Sequence, residues 1–155
     1  MNNQRRNVLK SGSGAAFLGA LAAAGIVKPG MALADWNKAS FETKNLADTL
    51  KALGVSSPAD SKDIQMTAPD IAENGAVVPI GIASTLPNVT MIAIMIEKNP
   101  STLAANFTLP AGTEPFVQTR VKMGQTSNVY ALVKSDGKFF TTSKEIKVTA
   151  GGCGG

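Results

Sequence analysis

The sequence predicts a mostly β domain with a short N-terminal helix and a flexible C-terminal arm. Three observations support this prediction. Apolar residues at helical spacing are confined to one segment near residue 45. Period-two patterns rich in β-branched residues recur from residue 60 onward, and turn signals separate them at regular intervals. The last five residues contain only glycine and cysteine.

The one predicted helix spans residues 40–53. Ser40 is a suitable N-cap, and Gly54 can end the helix in the left-handed conformation. The apolar residues that share one face of this helix are Phe41, Leu46, Leu50 and Leu53. We expect that face to pack on the β domain.

Seven strands are predicted after Pro58. They span residues 64–68, 76–82, 89–97, 103–109, 116–123, 128–133 and 138–149. The segment 89–97 is almost continuously apolar, which is typical of a strand buried on both faces. Pro79 cannot donate to a ladder and indicates an edge strand or a bulge. Ser135-Asp136-Gly137 predicts a hairpin turn. This number of short strands is typical of an immunoglobulin-like antiparallel β-sandwich.

Residues 1–34 have the features of an export signal. Arg5 and Arg6 precede an uncharged apolar stretch at 15–27, and an A-x-A pattern ends at Ala34. Paired arginines indicate the twin-arginine route. The apolar stretch is 13 residues long, short of the ~20 that span a bilayer. We therefore expect cleavage after Ala34, no remaining membrane anchor, and a periplasmic domain over 35–150.

The charge balance and the absence of histidine exclude several classes of function. Four of the 15 basic residues and none of the 11 acidic ones lie in the export signal, so the remainder is formally neutral. The basic balance of the whole chain therefore gives no support for nucleic-acid binding. The chain has no histidine, which removes the usual general base and the commonest metal ligand. We expect no catalytic residues, metal or cofactor.

Cys153 is the chain's one cysteine, with Gly151 and Gly152 before it and Gly154 and Gly155 after it. The glycines favour a flexible arm over 151–155, since their backbone entropy opposes a fixed conformation. Nothing adjacent, such as histidine or lysine, would activate the thiol for catalysis. Because three extended residues span about 10 Å, the slim arm could present its sulfur to other proteins. Cys153 is thus predicted to be a site of covalent attachment.

Three segments together resemble the SoxY family, the covalent carrier subunits of the periplasmic SoxYZ complex in thiosulfate oxidation. They are Gly-Gly-Cys-Gly-Gly at 151–155, Glu-Asn-Gly-Ala-Val-Val-Pro-Ile at 73–80, and Arg-Val-Lys-Met-Gly-Gln-Thr-Ser at 120–127. The twin-arginine leader is also typical, although Val8 stands where phenylalanine is common.

The resemblance implies a carrier that is not itself an enzyme. Its heterodimer partner would be SoxZ, which lacks a signal and would be exported together with it. The haem enzyme SoxXA would join thiosulfate oxidatively to Cys153 as a cysteine S-thiosulfonate, and SoxB would hydrolyse off sulfate. A sulfane dehydrogenase, SoxCD, would oxidise the remaining sulfur where the organism has one, and SoxB would then free the thiol.

Two other functions are compatible with parts of the sequence. A ubiquitin-like sulfur carrier would activate the Gly155 carboxylate as a thiocarboxylate, but that ATP-dependent cytoplasmic chemistry conflicts with the leader. A periplasmic chaperone or adhesion sandwich would bind through an exposed sheet edge. For the SoxZ surface, we expect the apolar strands near Val77–Ile82 and Val89–Ile96 to contribute.

Overall fold

The computed structural model describes residues 37–150. Within this range the chain forms two short helices, α1 (Lys38–Phe41) and α2 (Leu46–Ala52), followed by nine strands. The strands are β1 (Ala59–Asp60), β2 (Ile64–Thr67), β3 (Ile71–Ala72), β4 (Val78–Ser84), β5 (Val89–Ile96), β6 (Leu103–Thr108), β7 (Phe116–Val121), β8 (Ser127–Ser135) and β9 (Lys138–Val148).

Two sheets face each other. The larger has the order β1-β9-β8-β5-β6, with β3 also paired to β9, and the smaller has the order β2-β4-β7. The longer strands all pair antiparallel, whereas the two-residue strands β1 and β3 run parallel to β9. This arrangement confirms the predicted immunoglobulin-like, mostly β sandwich.

The main core fills the space between the two sheets. Ile80 and Ile82 of β4 meet Ile92, Ile94 and Ile96 of β5, and all five side chains are fully buried. Alternate residues of a strand point to opposite faces, so each sheet contributes every second residue to this core. Burial of these isoleucines provides hydrophobic stabilisation that does not depend on a disulfide.

The outer face of the larger sheet is covered by the helices. Ala93 and Met95 of β5 and Leu132 of β8 are buried there against the apolar side chains of the helical segment. Those side chains are Phe41, Leu46, Leu50 and Leu53. The prediction that β5 is buried on both faces is therefore confirmed, as is the packing of the predicted helical face.

The predicted single helix over 40–53 is wrong, because the segment forms two helices. Asn37, not Ser40, caps α1, and Ser40 lies buried inside it. Asn45 caps α2 by accepting a 2.8 Å hydrogen bond from the N–H of Asp48. An asparagine side chain that accepts a hydrogen bond from the backbone N–H three residues ahead starts a new helix, and it thereby ends the preceding one.

The connection between the helices is also tied to the sheet. The N–H of Thr102, just before β6, donates to the carbonyl of Thr43 over 3.0 Å. The Ser101 hydroxyl donates to the carbonyl of Phe41. These bonds satisfy backbone groups that a continuous helix would have used internally. Gly54, at φ +75°, follows α2 as predicted.

All seven predicted strands occur, with ends within about two residues of the prediction. The β8–β9 hairpin turns at Asp136 (φ +48°) and Gly137 (φ +74°), as Ser135-Asp136-Gly137 predicted. The strands β1 and β3 were not predicted, since two residues cannot display a period.

The edge position predicted from Pro79 is wrong for β4 as a whole, because β4 is the middle strand of its sheet. The pairing explains how proline is accommodated. Strand β2 ends where Thr67 pairs with Gly81, so it does not reach Pro79, whose strand partner is Arg120 of β7. The missing N–H of Pro79 therefore costs no ladder hydrogen bond on the β2 side.

Candidate functional site

The predicted site residues lie outside the described part of the chain. Cys153 and the glycines Gly151, Gly152, Gly154 and Gly155 follow its last residue, and Arg5 and Arg6 of the predicted export signal precede its first. The structure therefore bears on the site through Ala150, the last described residue. We call the surroundings of Ala150, formed by residues 70–77, 122–126 and 147–150, the arm base.

Ala150 is held by a hydrogen bond to the turn before β4. The N–H of Gly75 donates to the carbonyl oxygen of Ala150 over 2.7 Å. One residue earlier, the N–H of Thr149 donates to the carbonyl of Ala72 over 3.1 Å, and the Thr149 hydroxyl donates to the carbonyl of Glu73 over 3.3 Å. These bonds continue the β3–β9 pairing to the end of the described chain.

Gly75 is itself held from the other side. Its carbonyl accepts the N–H of Met123 over 2.7 Å, and the Met123 side chain is fully buried in the core. The turn is closed locally, because the Asn74 side chain accepts the N–H of Ala76 over 2.9 Å. Gly75 thus connects Ala150 to a residue anchored in the sandwich.

The segment after β7 adds a second set of anchors. The N–H of Val148 donates to the Thr126 hydroxyl over 3.0 Å. Asn99 bridges two backbone groups, donating to the carbonyl of Lys122 over 2.7 Å and accepting from the N–H of Gly124 over 3.1 Å. The segments 73–80 and 120–127 thus converge on the arm base.

The sequence pattern did not predict this convergence. The strand predicted over 116–123 covers part of 120–127, but no local pattern places 73–80 or 120–127 beside Ala150. The one feature that connects the two segments in the sequence is that both, together with the terminal glycines, carry the resemblance to one family.

The loop 68–70 is held to β9 by one side chain. Nζ of Lys144 donates to the carbonyl of Ala68 over 2.6 Å and forms a 2.9 Å ion pair with Asp70. The N–H of Lys147 donates to the carbonyl of Asp70 over 2.9 Å. These contacts align the start of β3 with β9, and β3 leads directly into the turn that holds Ala150.

Metal-binding groups and membrane-spanning helices are both absent from the described residues. Residues 37–150 contain no group of three or more histidine, cysteine, aspartate or glutamate side chains placed to hold a metal ion. Nor does any helix in this range have the length and apolar character needed to cross a membrane.

This chain matches a known protein family in sequence and several solved structures in fold. The family model described as "Sulfur oxidation protein SoxY" matches residues 50–153, a range that includes the whole arm base and reaches Cys153. The chain belongs to the SoxY family. No curated protein matches it significantly in sequence.

The solved structure of the sulfur carrier protein SoxY from Chlorobium limicola f thiosulfatophilum is similar to this SoxY-family chain. It has 38% sequence identity and a TM-score of 0.62, and the match covers 68% of this chain and 96% of that one. A variant of superoxide reductase (neelaredoxin) from Ignicoccus hospitalis matches at 18% identity and a TM-score of 0.50, covering 63% and 86% of the two chains. The latter likeness concerns the fold alone.

Proposed function

We propose that this chain is a periplasmic covalent sulfur carrier in thiosulfate oxidation, with its intermediates held on the Cys153 thiol. Membership of a sulfur oxidation family supports a carrier role. The observation that carries the finer proposal is the 2.7 Å hydrogen bond between Gly75 and Ala150. It fastens the chain to the sandwich immediately before Gly-Gly-Cys-Gly-Gly, which supports the proposal that this segment serves as the carrier arm.

The chemistry on Cys153 is supplied by partner enzymes. In the loading step, the thiol loses its proton and forms a sulfur–sulfur bond with the outer sulfur of thiosulfate, while two electrons pass to the oxidised enzyme SoxXA. SoxB then directs water to the sulfonate sulfur, and sulfate leaves while a persulfide remains. Where SoxCD is present, this dehydrogenase takes six electrons from the outer persulfide sulfur, which gains three oxygen atoms from water and becomes a sulfonate. A second hydrolysis by SoxB returns the thiol.

The length and composition of residues 151–155 suit a carrier that visits several enzymes. Cys153 is three residues beyond Ala150, which limits its reach to about 10 Å. A glycine backbone carries no side chains that would clash inside a narrow channel. One thiol on this arm can therefore enter different active sites in turn, while the sandwich stays outside each of them.

The expected SoxZ surface needs one correction. Strand β5 (Val89–Ile96) is covered by the core on one face and by the helices on the other. The expectation that it contributes an open surface to SoxZ binding is therefore wrong. The outer face of β4 remains available. Beside it lies a groove of about 470 Å³ that is lined mainly by apolar residues, among them Pro69, Pro79 and the half-exposed Phe116. We place SoxZ on this face.

A loading assay tests the carrier role. The chain, purified with SoxZ, is incubated with thiosulfate and oxidised SoxXA, and its intact mass is measured. We expect a thiosulfonate adduct on the wild-type chain and none on Cys153→Ser or on a truncation after Ala150. An adduct that persists on Cys153→Ser would favour a Gly155 thiocarboxylate. A truncated chain that still supports thiosulfate oxidation in cells would favour a binding sandwich.

A separate experiment tests the location. The conservative pair Arg5→Lys and Arg6→Lys keeps the charge of the leader but removes the paired arginines that define the twin-arginine signal. We expect this variant to accumulate uncleaved in the cytoplasm, with SoxZ retained beside it. Normal periplasmic levels of the processed variant would contradict export by this route.

A further inference from the structure

We infer that Asn74 is a site of spontaneous deamidation, and that the hydrogen bond from Gly75 to Ala150 protects it. Asn74-Gly75 is the chain's one asparagine–glycine pair. The site is independent of the proposed function, because deamidation does not involve Cys153. It makes the turn before β4 a modification site whose reaction is linked to opening of the arm base.

Deamidation of an asparagine before a glycine is a reaction of the backbone with the side chain. The backbone nitrogen of Gly75 loses its proton and attacks Cγ of Asn74, so a new carbon–nitrogen bond closes a succinimide ring. The bond from Cγ to Nδ2 breaks, and Nδ2 leaves as ammonia. Water then opens the ring at either carbonyl, which gives aspartate or isoaspartate at position 74. Glycine favours this attack, because it has no side chain to hinder its nitrogen.

The electrophile of this reaction is accessible and already turned toward the backbone. Asn74 is exposed, so water reaches its amide group. Its Oδ1 accepts a 2.9 Å hydrogen bond from the N–H of Ala76, one residue beyond the attacking nitrogen. This bond holds the side-chain carbonyl against the turn, and it stabilises the negative charge that develops on Oδ1 during attack. The local structure therefore favours reaction at Cγ.

The nucleophile, in contrast, is blocked in the folded protein. The N–H of Gly75 donates to the carbonyl of Ala150 over 2.7 Å, and Gly75 is buried. The carbonyl of Gly75 accepts the N–H of Met123, also over 2.7 Å, so the peptide groups on both sides of this glycine are fixed. The nitrogen must release Ala150 before it can lose its proton and approach Cγ. Reaction therefore requires local opening of the arm base.

The hydrogen bond and the modification exclude each other. Isoaspartate inserts one extra carbon atom into the backbone between positions 74 and 75, which displaces the N–H of Gly75 from the carbonyl of Ala150. A hydrogen bond tolerates little change in distance or angle. Either product also adds a negative charge next to Glu73. An arm base that has reacted while open thus stays loosened.

Peptide mapping by mass spectrometry measures the reaction in the full chain stored in mildly alkaline buffer. Asn88 is the internal reference, because it is also exposed but is followed by valine, whose branched side chain hinders ring closure. We expect Asn74 to react roughly tenfold more slowly in the folded chain than in the chain unfolded in guanidinium chloride. Equal rates in the two states would overturn the protection. An Asn74 that reacts no faster than Asn88 in the unfolded chain would overturn the site itself.

Two proline variants of the full chain test whether the protection comes from the arm base. Thr149→Pro removes the N–H that donates to Ala72 over 3.1 Å and the hydroxyl that donates to Glu73 over 3.3 Å. Thr113→Pro is the matched control. Thr113 is also exposed, and its N–H also donates over 3.1 Å to a backbone carbonyl, that of Pro110. It precedes β7, whose first residue pairs with the other end of β4.

We expect Thr149→Pro to speed deamidation of Asn74 in the folded chain about fivefold, the factor given by loss of one hydrogen bond. Thr113→Pro should leave the rate unchanged. A rate that rises equally in both variants, or in neither, would overturn the link to the arm base. The sulfur adduct on Cys153 is measured separately, so failure of the carrier function would leave these rates as they are.

Discussion

The N–H of Gly75 points at the carbonyl oxygen of Ala150 and donates a 2.7 Å hydrogen bond to it. Two parts of the chain that are 75 residues apart are thereby joined at the last residue before the glycine arm. The chain is therefore held to the sandwich at Ala150, and the proposed reach of Cys153 follows from the three residues after that point.

The first prediction concerns the amide proton of Gly75. A truncation after Ala150 keeps the acceptor of its hydrogen bond, whereas a truncation after Thr149 removes it. Loss of one hydrogen bond of about 1 kcal/mol should speed local opening, so we expect roughly fivefold faster hydrogen exchange at Gly75 in the shorter chain. Equal exchange in the two truncations, measured by NMR, would show that Ala150 is not held by this bond.

The second prediction concerns Met123, which anchors Gly75 to the core. Its side chain is fully buried, so Met123→Ala leaves a cavity and should lower the free energy of unfolding by about 2–5 kcal/mol. Met123→Leu nearly conserves volume and should cost less than about 1.5 kcal/mol. Urea denaturation measures both. A cost below 1 kcal/mol for the alanine variant would contradict the packing described here.

The elements that the sequence predicts well are those with a local physical signature. Strand β5 alternates between two buried faces, so it reads as a continuous apolar run. Asp136 and Gly137 adopt the left-handed conformation in the β8–β9 turn. Aspartate and glycine are residue types that favour this conformation, so the turn can be predicted from the sequence. The break between α1 and α2 was not predicted, although Asn45 is a residue type that favours the N-cap of a helix.

The arm base could not be predicted in this way. Strand β3 has two residues and owes its conformation to its pairing with β9, more than 70 positions later. Likewise, no local pattern states that Met123 and Ala150 bond to the same glycine. Such contacts depend on the register of the sandwich, which local propensity does not determine.

The third prediction compares two glycines. Gly137 has φ +74° in the β8–β9 turn, a conformation that costs a residue with a Cβ about 1–2 kcal/mol. Gly81, in the middle of the smaller sheet, has room for a methyl group, because an added Cβ would make an ordinary van der Waals contact of 3.6 Å with Cβ of Thr67. Thermal unfolding should show a clear loss of stability for Gly137→Ala and little or none for Gly81→Ala. The reverse order would refute the turn geometry.

The fourth prediction concerns Tyr130, the chain's one tyrosine. Burial, and secondly the charge of Glu97, raises the pKa of Tyr130 above its usual value of 10.0. The folded protein therefore keeps the phenolic proton more tightly than the unfolded chain does. Stability should fall as the pH rises above about 10, where only the unfolded chain readily ionises.

An absorbance titration of tyrosinate gives this pKa directly. Glu97→Gln removes the charge but can still accept the 3.0 Å hydrogen bond from Asn128. We expect the midpoint of the wild-type titration to lie above 10, and that of the variant to lie lower than the wild type. A wild-type midpoint at or below the value for free tyrosine would contradict the buried environment.

The carrier function is tested most directly by the mass of the C-terminal peptide of the chain purified from cells grown on thiosulfate. If Cys153 carries the sulfur intermediates, a fraction of this peptide should be heavier by a thiosulfonate or a persulfide, and mild reduction should remove the addition. Fragmentation should place the added mass on Cys153. A peptide of unmodified mass under these conditions, or an addition located on Gly155, would contradict the proposed function.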